Sequence, residues 1–319
     1  MTALLGLMLL CLLLATAVPR LLVRAGWAER EPVLALGLWQ CLVVSVLLCC
    51  GLGLTLAACA ALPAVRELLF SGAPDQVMQA YGFAGTEAWG AAAAVLLAYG
   101  ALHTAFALAR EVRLARASRS RRQAELALLA PELPPAADEY GGDRARTRER
   151  LVVLEDVQPE AWSLPGPTAR LVVTTGALRR LSDRELAAVL DHERGHVRAR
   201  HHWLLQSAEA LAAGFPGVAV FGAFRDEVGR LVELAADDAA SRRHGRLATA
   251  LALVELNQGR GVFGDCRGQL AEVPRRVDRL LAGEPRLPVR HRLRLTAAGL
   301  TALGVPVLLV LAPGLHALL

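Results

Sequence analysis

Four long apolar stretches divide the chain into segments of membrane-like and of polar character. They are residues 3–23, 32–65, 88–109 and 295–319, each long enough to cross a bilayer, which takes about 20 helical residues. This pattern predicts three transmembrane helices within residues 1–110 and a C-terminal one at residues 295–319. Met1 and Thr2 place no positive charge before the first stretch. We therefore expect a retained anchor, with a cleaved secretory signal as the alternative.

The polar remainder of the chain lies between the third and the fourth apolar stretch. Residues 111–150 begin as a basic helical pattern and continue as a linker rich in proline, glycine and charge. Residues 151–294 follow as a globular domain with helical periods and two short strand patterns, Leu151–Leu154 and Arg170–Thr175. These signals predict a mainly α membrane protein that carries one α+β domain.

One apolar segment inside this domain is difficult to place. Residues 202–224 are apolar enough for hydropathy alone to predict a further span. Gly214-Phe215-Pro216-Gly217 at their centre predicts a turn. We therefore expect an apolar helical hairpin, which either dips into the membrane or lies buried in the domain; both alternatives stay open.

The distribution of arginine predicts the orientation of the spans. The chain has 54% hydrophobic residues and a mean hydropathy of +0.38, which is more apolar than an ordinary soluble protein. Its net charge is +5. Arginines concentrate in the first connection, directly after the third stretch and directly before the fourth: Arg20, Arg24, Arg30, Arg110, Arg113, Arg116, Arg119, Arg121, Arg122, Arg286, Arg290, Arg292 and Arg294. Because positive loops stay on the cytoplasmic side, we expect a multi-pass cell-membrane protein whose globular domain is cytoplasmic. Membrane topology explains these clusters better than nucleic-acid binding, so no nucleic-acid partner is expected.

The strongest chemical signal is the pair His192 and His196. Residues four apart leave the same face of a helix, and two imidazoles on one face can hold one Zn²⁺. Glu193 points to the flank of such an ion, where a carboxylate can act as a general base on water. Ser182 and Glu185 form a capping-box pattern ahead of the motif, which predicts that both histidines lie inside one helix. An amphipathic helix with exposed histidines is the alternative.

A catalytic zinc needs a third protein ligand, and Glu233 is the best candidate downstream. It lies in a run of strong helix formers, and Asp237 follows it one turn later on the same face, where a carboxylate can orient a ligand imidazole. The neighbours Ala235, Ala236, Ala239 and Ala240 suit close packing against another helix better than they suit solvent. An ordinary solvated acidic face is the alternative.

These motifs together resemble the gluzincin membrane metallopeptidases. The resemblance is carried by the HERGH of residues 192–196, by Glu233 and Asp237 in the ExxxD positions, and upstream by Ala161–Gly166 and Arg170–Leu178. The group comprises the HtpX and CAAX-prenyl-protease family and its sister, the BlaR/MecR-type family of β-lactam sensor proteases. The resemblance implies a zincin-like fold and a membrane-embedded zinc endopeptidase.

The resemblance also implies roles for individual residues. It implies His192, His196 and Glu233 as ligands of one Zn²⁺ per chain, Glu193 as the base, and Asp237 as the partner of a ligand imidazole. It further implies that the strand residues Val172, Val173, Thr174 and Thr175 pair with an extended substrate, which is β-augmentation.

Several other polar residues have two interpretations each. Arg243 and His244 either stabilise the oxyanion or are favourable charges at a helix C-terminus. His201 and His202 fall off the ligand face if the metal helix continues through them, which predicts surface or lipid-boundary positions. His103 is either functional or a packing residue between helices. The cysteines indicate neither a disulfide framework nor a cysteine-based zinc site.

The expected activity is hydrolysis of peptide bonds in a protein or peptide substrate, by a chain that also contacts membrane lipid. One alternative is a proteolytic signal transducer of the β-lactam-sensor type, which would need a repressor or a sensor partner. The other alternative is an inactive membrane scaffold, against which the complete set of His192, Glu193, His196 and Glu233 argues.

Overall fold

The structure is a computed structural model that describes residues 2–83, 85–129, 150–164, 170–257 and 272–319. The fold is mainly helical with a small mixed sheet, as predicted. In chain order the elements are α1 (Thr2–Val23), α2 (Pro32–Ala61), α3 (Pro63–Phe70), α4 (Asp75–Ala80), α5 (Glu87–Leu129), β1 (Arg150–Leu154), β2 (Ala161–Leu164), β3 (Arg170–Thr174), α6 (Thr175–Arg180), α7 (Asp183–Arg198), α8 (His201–Gly214), α9 (Ala219–His244), α10 (Arg246–Asn257), α11 (Val273–Ala282) and α12 (Val289–Leu318). Most of the linker predicted within 111–150 lies outside the described residues.

Within the described residues, four helices are long and apolar enough to cross a membrane: α1, α2, the Glu87–Ser118 part of α5, and α12. The fold class predicted from the sequence, a mainly α protein with membrane spans and an α+β domain, is therefore confirmed. The second span ends at Ala61, earlier than the apolar pattern suggested. Leu62 is extended because it precedes Pro63, and a residue before proline is disfavoured in a helix.

The chain divides into two compact units, and the first contains residues 1–111, 207–228 and 287–319. In this unit α12 packs against α1, α2 and α4. Pro306 lies inside α12 and cannot donate a hydrogen bond to the carbonyl of Ala302, four residues earlier. The hydroxyl of Ser45, fully buried in α2, donates to that carbonyl at 2.9 Å. The polar group freed by the proline is thereby satisfied by a neighbouring helix.

Contacts at the two ends of this unit define which helix ends lie together. At one end Arg292, near the start of α12, lies 3.5 Å from the Glu31 carboxylate at the start of α2. At the other end the Tyr81 hydroxyl, between α4 and α5, donates to the carbonyl of Val310 at 3.0 Å. The start of α2 and the start of α12 therefore lie at the same end of the unit.

The apolar segment around residues 202–224 forms a helical hairpin built from α8, a short turn and α9. Its tip belongs to the same unit as the candidate spans. The Phe224 ring lies 6.3 Å from the ring of Trp39 in α2, and the Phe215 ring lies 5.9 Å from that of His103 in α5. His103 thus has a packing partner, and the tip of the hairpin packs on two apolar helices.

The second unit contains residues 112–206 and 229–286. Its sheet has the order β1-β3-β2, with β3 parallel to β1 and antiparallel to β2. Val173 on one face of β3 packs with Ala177, Leu181, Val189 and Ala252 of the helices. Val172 on the other face packs with Leu154 and Leu164 of the neighbouring strands. The sheet therefore supports α7, the helix that carries the HERGH motif.

Candidate metal centre

The metal helix α7 begins with the predicted capping box. The backbone N–H of Ser182 donates to the Glu185 carboxylate at 2.8 Å, and the Ser182 hydroxyl accepts from the Glu185 backbone N–H at 3.4 Å. The helix then runs without a break to Arg198. His192 and His196 leave the same face, and their Nε2 atoms lie 3.2 Å apart.

Small residues allow α9 to approach the face of α7 that carries the histidines. A Cβ atom on Gly195 would lie 3.5 Å from the Cα of Ala236 and 3.5 Å from the Cβ of Ala239. This close crossing brings Glu233 to the histidines, with Oε2 at 3.6 Å from Nε2 of His192 and Oε1 at 3.5 Å from Nε2 of His196. The alanine-rich run around Glu233 therefore packs against another helix, as its composition suggested.

The geometry of these three side chains fits a zinc ion. One nitrogen from each histidine and one oxygen from Glu233 lie within 4.8 Å of one another. Tetrahedral ligands at about 2.0–2.1 Å from a shared Zn²⁺ would be roughly 3.3 Å apart. The observed separations of 3.2–3.6 Å agree with that spacing. Two imidazoles and one carboxylate are also the donor set expected of a catalytic zinc site.

Asp237 contacts the imidazole of His192 at Nδ1, the ring nitrogen away from Glu233 and His196. Its Oδ1 lies 3.0 Å from Nδ1 of His192, and the residue is only 1% exposed. A proton on Nδ1 satisfies this carboxylate and leaves the lone pair of Nε2 for a metal. The ExxxD spacing therefore places one carboxylate beside the candidate ion and the other behind a ligand.

Arg276 is a buried member of the site that sequence reasoning missed. Its guanidinium donates from Nε and Nη2 to the two oxygens of Asp237 at 2.8 and 2.7 Å, and Nη1 lies 2.9 Å from Oε2 of Glu233. Arg276 belongs to α11, whose sequence showed only a basic amphipathic pattern. Nothing in that pattern distinguishes Arg276 from the exposed Arg275 beside it.

His201 also lies at the site, so the prediction that it faces away from the ligands was wrong. It is 5% exposed, and its Nδ1 lies 3.0 Å from Nδ1 of His196. The prediction assumed that the metal helix continues through residue 201, whereas α7 ends at Arg198 and α8 begins at His201. His202 is half-buried and contacts the ring of Trp203.

The two histidines of the candidate site have opposite electrostatic environments. Burial lowers the pKa of His192, but its hydrogen bonds to Asp237 and Glu233 and the charges of both carboxylates outweigh this and raise it to about 10. Burial lowers the pKa of His196 to about 3, with a further lowering from the charge of His192. Burial tends to raise the pKa of Glu233, but the hydrogen bond and charge of His192 and the charge of Arg276 lower it overall.

Glu193 lies beside the ligands and against the sheet. Burial raises its pKa, and the charge of His192 and hydrogen bonds from the side chain and backbone of Ser163 only partly offset the rise. Ser163 belongs to β2, an edge strand of the described sheet. The backbone N–H of Ser163 is thus directed to Glu193 rather than to β3.

The residues predicted to pair with substrate are structural. Val172, Val173 and Thr174 belong to β3, which is the central strand and is hydrogen-bonded on both sides. Thr174 is fully buried and accepts from the backbone N–H of Ala177 at the start of α6, while Thr175 is the first residue of that helix. A substrate backbone therefore has no free edge on β3, because both are already used within the described sheet.

Arg243 and His244 contact Asp191 rather than the ligand atoms. Asp191 directly precedes His192 and is 6% exposed. His244 Nε2 lies 2.8 Å from Oδ2 of Asp191, and Arg243 Nη1 donates to the same oxygen at 3.2 Å. Burial would raise the pKa of Asp191, but hydrogen bonds from His244, Arg194 and Arg243 lower it. These contacts fasten the C-terminal end of α9 to α7.

A His-His-Glu ligand set with a neighbouring glutamate on the same helix is typical of gluzincin metallopeptidases. Residues 136–229 match the family model described as "Peptidase family M48". This part of the chain is therefore similar to that zinc metallopeptidase family, and the resemblance seen in its motifs is confirmed. The match covers the HERGH motif and ends before Glu233, so the support for the third ligand comes from the ExxxD spacing and from the geometry.

Curated relatives agree with this assignment. The chain is 28% identical over 168 residues to "Protease HtpX homolog" of Ralstonia nicotianae, which covers 49% of this chain and 59% of the relative. It is 31% identical over 106 residues to the same-named protein of Ralstonia pickettii, a match that covers 32% of this chain and 37% of the relative. It is 35% identical over 86 residues to that of Burkholderia thailandensis, which covers 25% of this chain and 30% of the relative. The chain thus spans less than two thirds of the length of these relatives. No solved structure matches.

Proposed function

We propose that this protein is a membrane-embedded endopeptidase that uses one Zn²⁺ per chain to hydrolyse peptide bonds of protein substrates at the cytoplasmic face. The observation that carries the proposal is the convergence of His192, His196 and Glu233 to ligand spacing beside Glu193, whose pKa is raised by burial. The matched relatives, named as HtpX protease homologs, favour a protease of that type over a β-lactam sensor. The complete ligand set argues against an inactive scaffold.

The chain's own residues supply the proton transfers of the reaction. Zinc, held by His192, His196 and Glu233, would polarise the scissile carbonyl and acidify water. Glu193 takes a proton from the attacking water as the new C–O bond forms, and delivers it to the amine nitrogen as the C–N bond breaks. The raised pKa of Glu193 makes its carboxylate a better proton acceptor than an exposed glutamate. Asp237 keeps the imidazole of His192 in the tautomer that offers Nε2.

We propose that an extended substrate docks along the outer edge of β2. β2 is an edge strand of the described sheet, and its Ser163 contacts the proposed base, Glu193. A peptide that adds to this edge would bond to backbone groups of β2 other than the Ser163 N–H, which donates to Glu193, and would run past that carboxylate. The β-augmentation expected from the sequence is thus retained, but on the strand next to the one predicted.

The arrangement of the spans supports the proposed cytoplasmic placement. The arginines before α2 and those in the first turns of α12 lie at one end of the first unit, because Glu31 and Arg292 are in contact there. Both groups of arginines therefore require the same side of the membrane, and the positive-inside rule assigns that side to the cytoplasm. Residues 112–286 connect to α12 at this end.

The hairpin tip is proposed to enter the cytoplasmic leaflet of the bilayer. Trp39 lies seven residues after the start of α2, which is about 10 Å along a helix, and it meets Phe224 there. A tip at this depth would let membrane-embedded substrates contact α9, the helix that also contains Glu233. Membrane proteins are for this reason the proposed substrate class.

Replacing Glu193 by glutamine tests the proposal. We expect the Glu193→Gln protein, purified in detergent, to retain one equivalent of zinc by elemental analysis and to lose cleavage of an unstructured reporter protein by at least about 100-fold, because amide nitrogen accepts no proton. Asp183→Asn, on the exposed first turn of the same helix, is the matched control and should leave both quantities unchanged. Full cleavage by the Glu193→Gln protein would exclude Glu193 as the base. Wild-type protein without zinc or cleavage would overturn the proposed activity.

A further inference from the structure

The connection between α7 and α8 contains an unusual backbone conformation. Arg200 has φ +53°, and it is the only non-glycine residue with positive φ in the described part of the chain. Such a conformation is disfavoured for a residue with a side chain, by roughly 1–3 kcal/mol when it is held in place. Its effect is local: the chain turns after Arg198, and the next helix starts with its first residue, His201, directed back at α7.

The consequence of this turn is a contact between two imidazoles. Nδ1 of His201 lies 3.0 Å from Nδ1 of His196, and the two rings are nearly perpendicular, with an interplanar angle of 83° and centroids 4.9 Å apart. Two nitrogens at this distance form a hydrogen bond only if one carries the proton and the other a lone pair. The ligand side decides which, since Nε2 of His196 faces Glu233 and His192.

We propose that His201 is a positioning residue for the metal ligand His196, whose Nδ1–H donates to Nδ1 of His201 and whose Nε2 is thereby left free for the metal. This inference rests on the proposed zinc site. It requires that the proton of the His201 ring resides on Nε2. The short α7–α8 turn at Arg200 is then the backbone device that brings this acceptor to His196.

The two ligand histidines are thus held by different kinds of partner. His192 donates to the carboxylate of Asp237, which is itself bound by Arg276. His196 donates to a neutral ring that is 5% exposed. A partner behind a ligand imidazole is typically worth 10–100-fold in metal affinity. The structure therefore predicts that the affinity depends on residue 201 about as strongly as on conventional carboxylate partners.

Three substitutions at one position separate hydrogen-bond acceptance from packing. His201→Phe keeps a ring of similar size but accepts no hydrogen bond, and His201→Leu removes the acceptor in a second steric context. In His201→Asn, Oδ1 occupies the position along the side chain that Nδ1 has in histidine, so it can accept from His196. His202→Leu, at the neighbouring imidazole, is the matched control.

The measurement is the affinity of the metal-free, full-length protein in detergent for Zn²⁺, by competition with a chelating indicator, together with the visible absorption of the Co²⁺-loaded protein. We expect the Phe and Leu variants to bind Zn²⁺ about 10–100-fold more weakly with an altered cobalt spectrum, and the Asn variant to recover most of the affinity and the wild-type spectrum. Thermal unfolding of the metal-free variants reports whether each one folds.

Each contrary result has a distinct meaning. Wild-type affinity in the Phe and Leu variants would overturn the inference. Equal losses in the Asn, Phe and Leu variants would also overturn it, because the ring would then matter for packing rather than as an acceptor. If His196→Ala leaves zinc binding unchanged, the proposed metal site fails and the inference fails with it. If zinc binds at this site but no reporter is cleaved, the proposed activity fails while the role of His201 stands.

Discussion

Replacing Arg276 by methionine removes a buried cation while keeping most of the volume of its side chain. In the metal-free protein four charged groups form a neutral set: protonated His192, Arg276, Glu233 and Asp237. The guanidinium makes three contacts of 2.7–2.9 Å to the two carboxylates, and its side chain is 9% exposed. The Arg276→Met change leaves a net negative charge in a buried site.

The expected magnitude follows from these contacts. Removing one partner of a buried ion pair typically costs about 3–5 kcal/mol. For a domain of this size each kcal/mol corresponds to roughly 2–4 °C in melting temperature. We therefore expect the metal-free Arg276→Met protein to melt roughly 6–20 °C below the wild type. Because Zn²⁺ carries one more positive charge than the proton it displaces from His192, added zinc should raise the melting temperature more in the variant than in the wild type.

Thermal unfolding in detergent, with and without zinc, measures both effects. Arg275→Met is the matched control, since Arg275 is the exposed neighbour on the same helix. We expect this variant to have the melting temperature of the wild type. A metal-free Arg276→Met protein within about 1 kcal/mol of the wild type would refute the argument that Arg276 balances two buried carboxylates. A smaller zinc-induced stabilisation in the variant would show that orientation of Glu233 outweighs the charge balance.

Two further predictions concern the ligand helix. Because the pKa of His192 in the metal-free protein is raised to about 10, its stabilising charge is present at neutral pH and is lost as the pH rises through 10. Zinc must then displace one proton from His192, so the apparent zinc affinity should rise about tenfold per pH unit between about pH 7 and 9. Calorimetry in two buffers of different ionisation enthalpy counts the protons released on zinc binding. If no proton is released at pH 8, the assignment of a protonated His192 is contradicted. At the helix crossing, Gly195→Ala should be tolerated, because its Cβ would meet Ala236 and Ala239 at ordinary contact distance. Gly195→Leu should force α9 away from α7 and abolish zinc binding, which elemental analysis measures. A Gly195→Leu protein with a full equivalent of zinc would show that the helix crossing is not tight.

Local signals in the sequence were sufficient to predict α7 and the geometry of its two histidines. The capping box and the four-residue spacing act within one helix, so no tertiary information is needed to place them. Glu233 and Asp237 were found because the ExxxD spacing also acts within one helix. Their distance from the histidines in space depends on the packing of Gly195 against α9, which the alanine content only suggested.

The residues that sequence reasoning misplaced all depend on tertiary structure. His201 was assigned to the wrong face because one residue, Arg200, leaves the helical conformation and ends the periodicity. The resemblance implies that β3 pairs with substrate, but β3 is the central strand of the described sheet, and strand order cannot be read from a single apolar run. Arg276 has no local signal at all, since only the fold brings α11 to the two carboxylates. The prediction of a hairpin needed only the central turn, whereas its packing against Trp39 required the structure.

The hydrogen bond from Ser45 to the carbonyl of Ala302 has a consequence for the order of biosynthesis. The two residues are 257 positions apart, so α2 leaves the ribosome long before the helix that needs its hydroxyl exists. Within its own helix, the Ser45 hydroxyl also has an acceptor in the carbonyl of Cys41, at 2.7 Å. The bond between α2 and α12 can therefore form only after α12 has been synthesised, when Ser45 of α2 supplies the donor that Pro306 cannot supply to the carbonyl of Ala302.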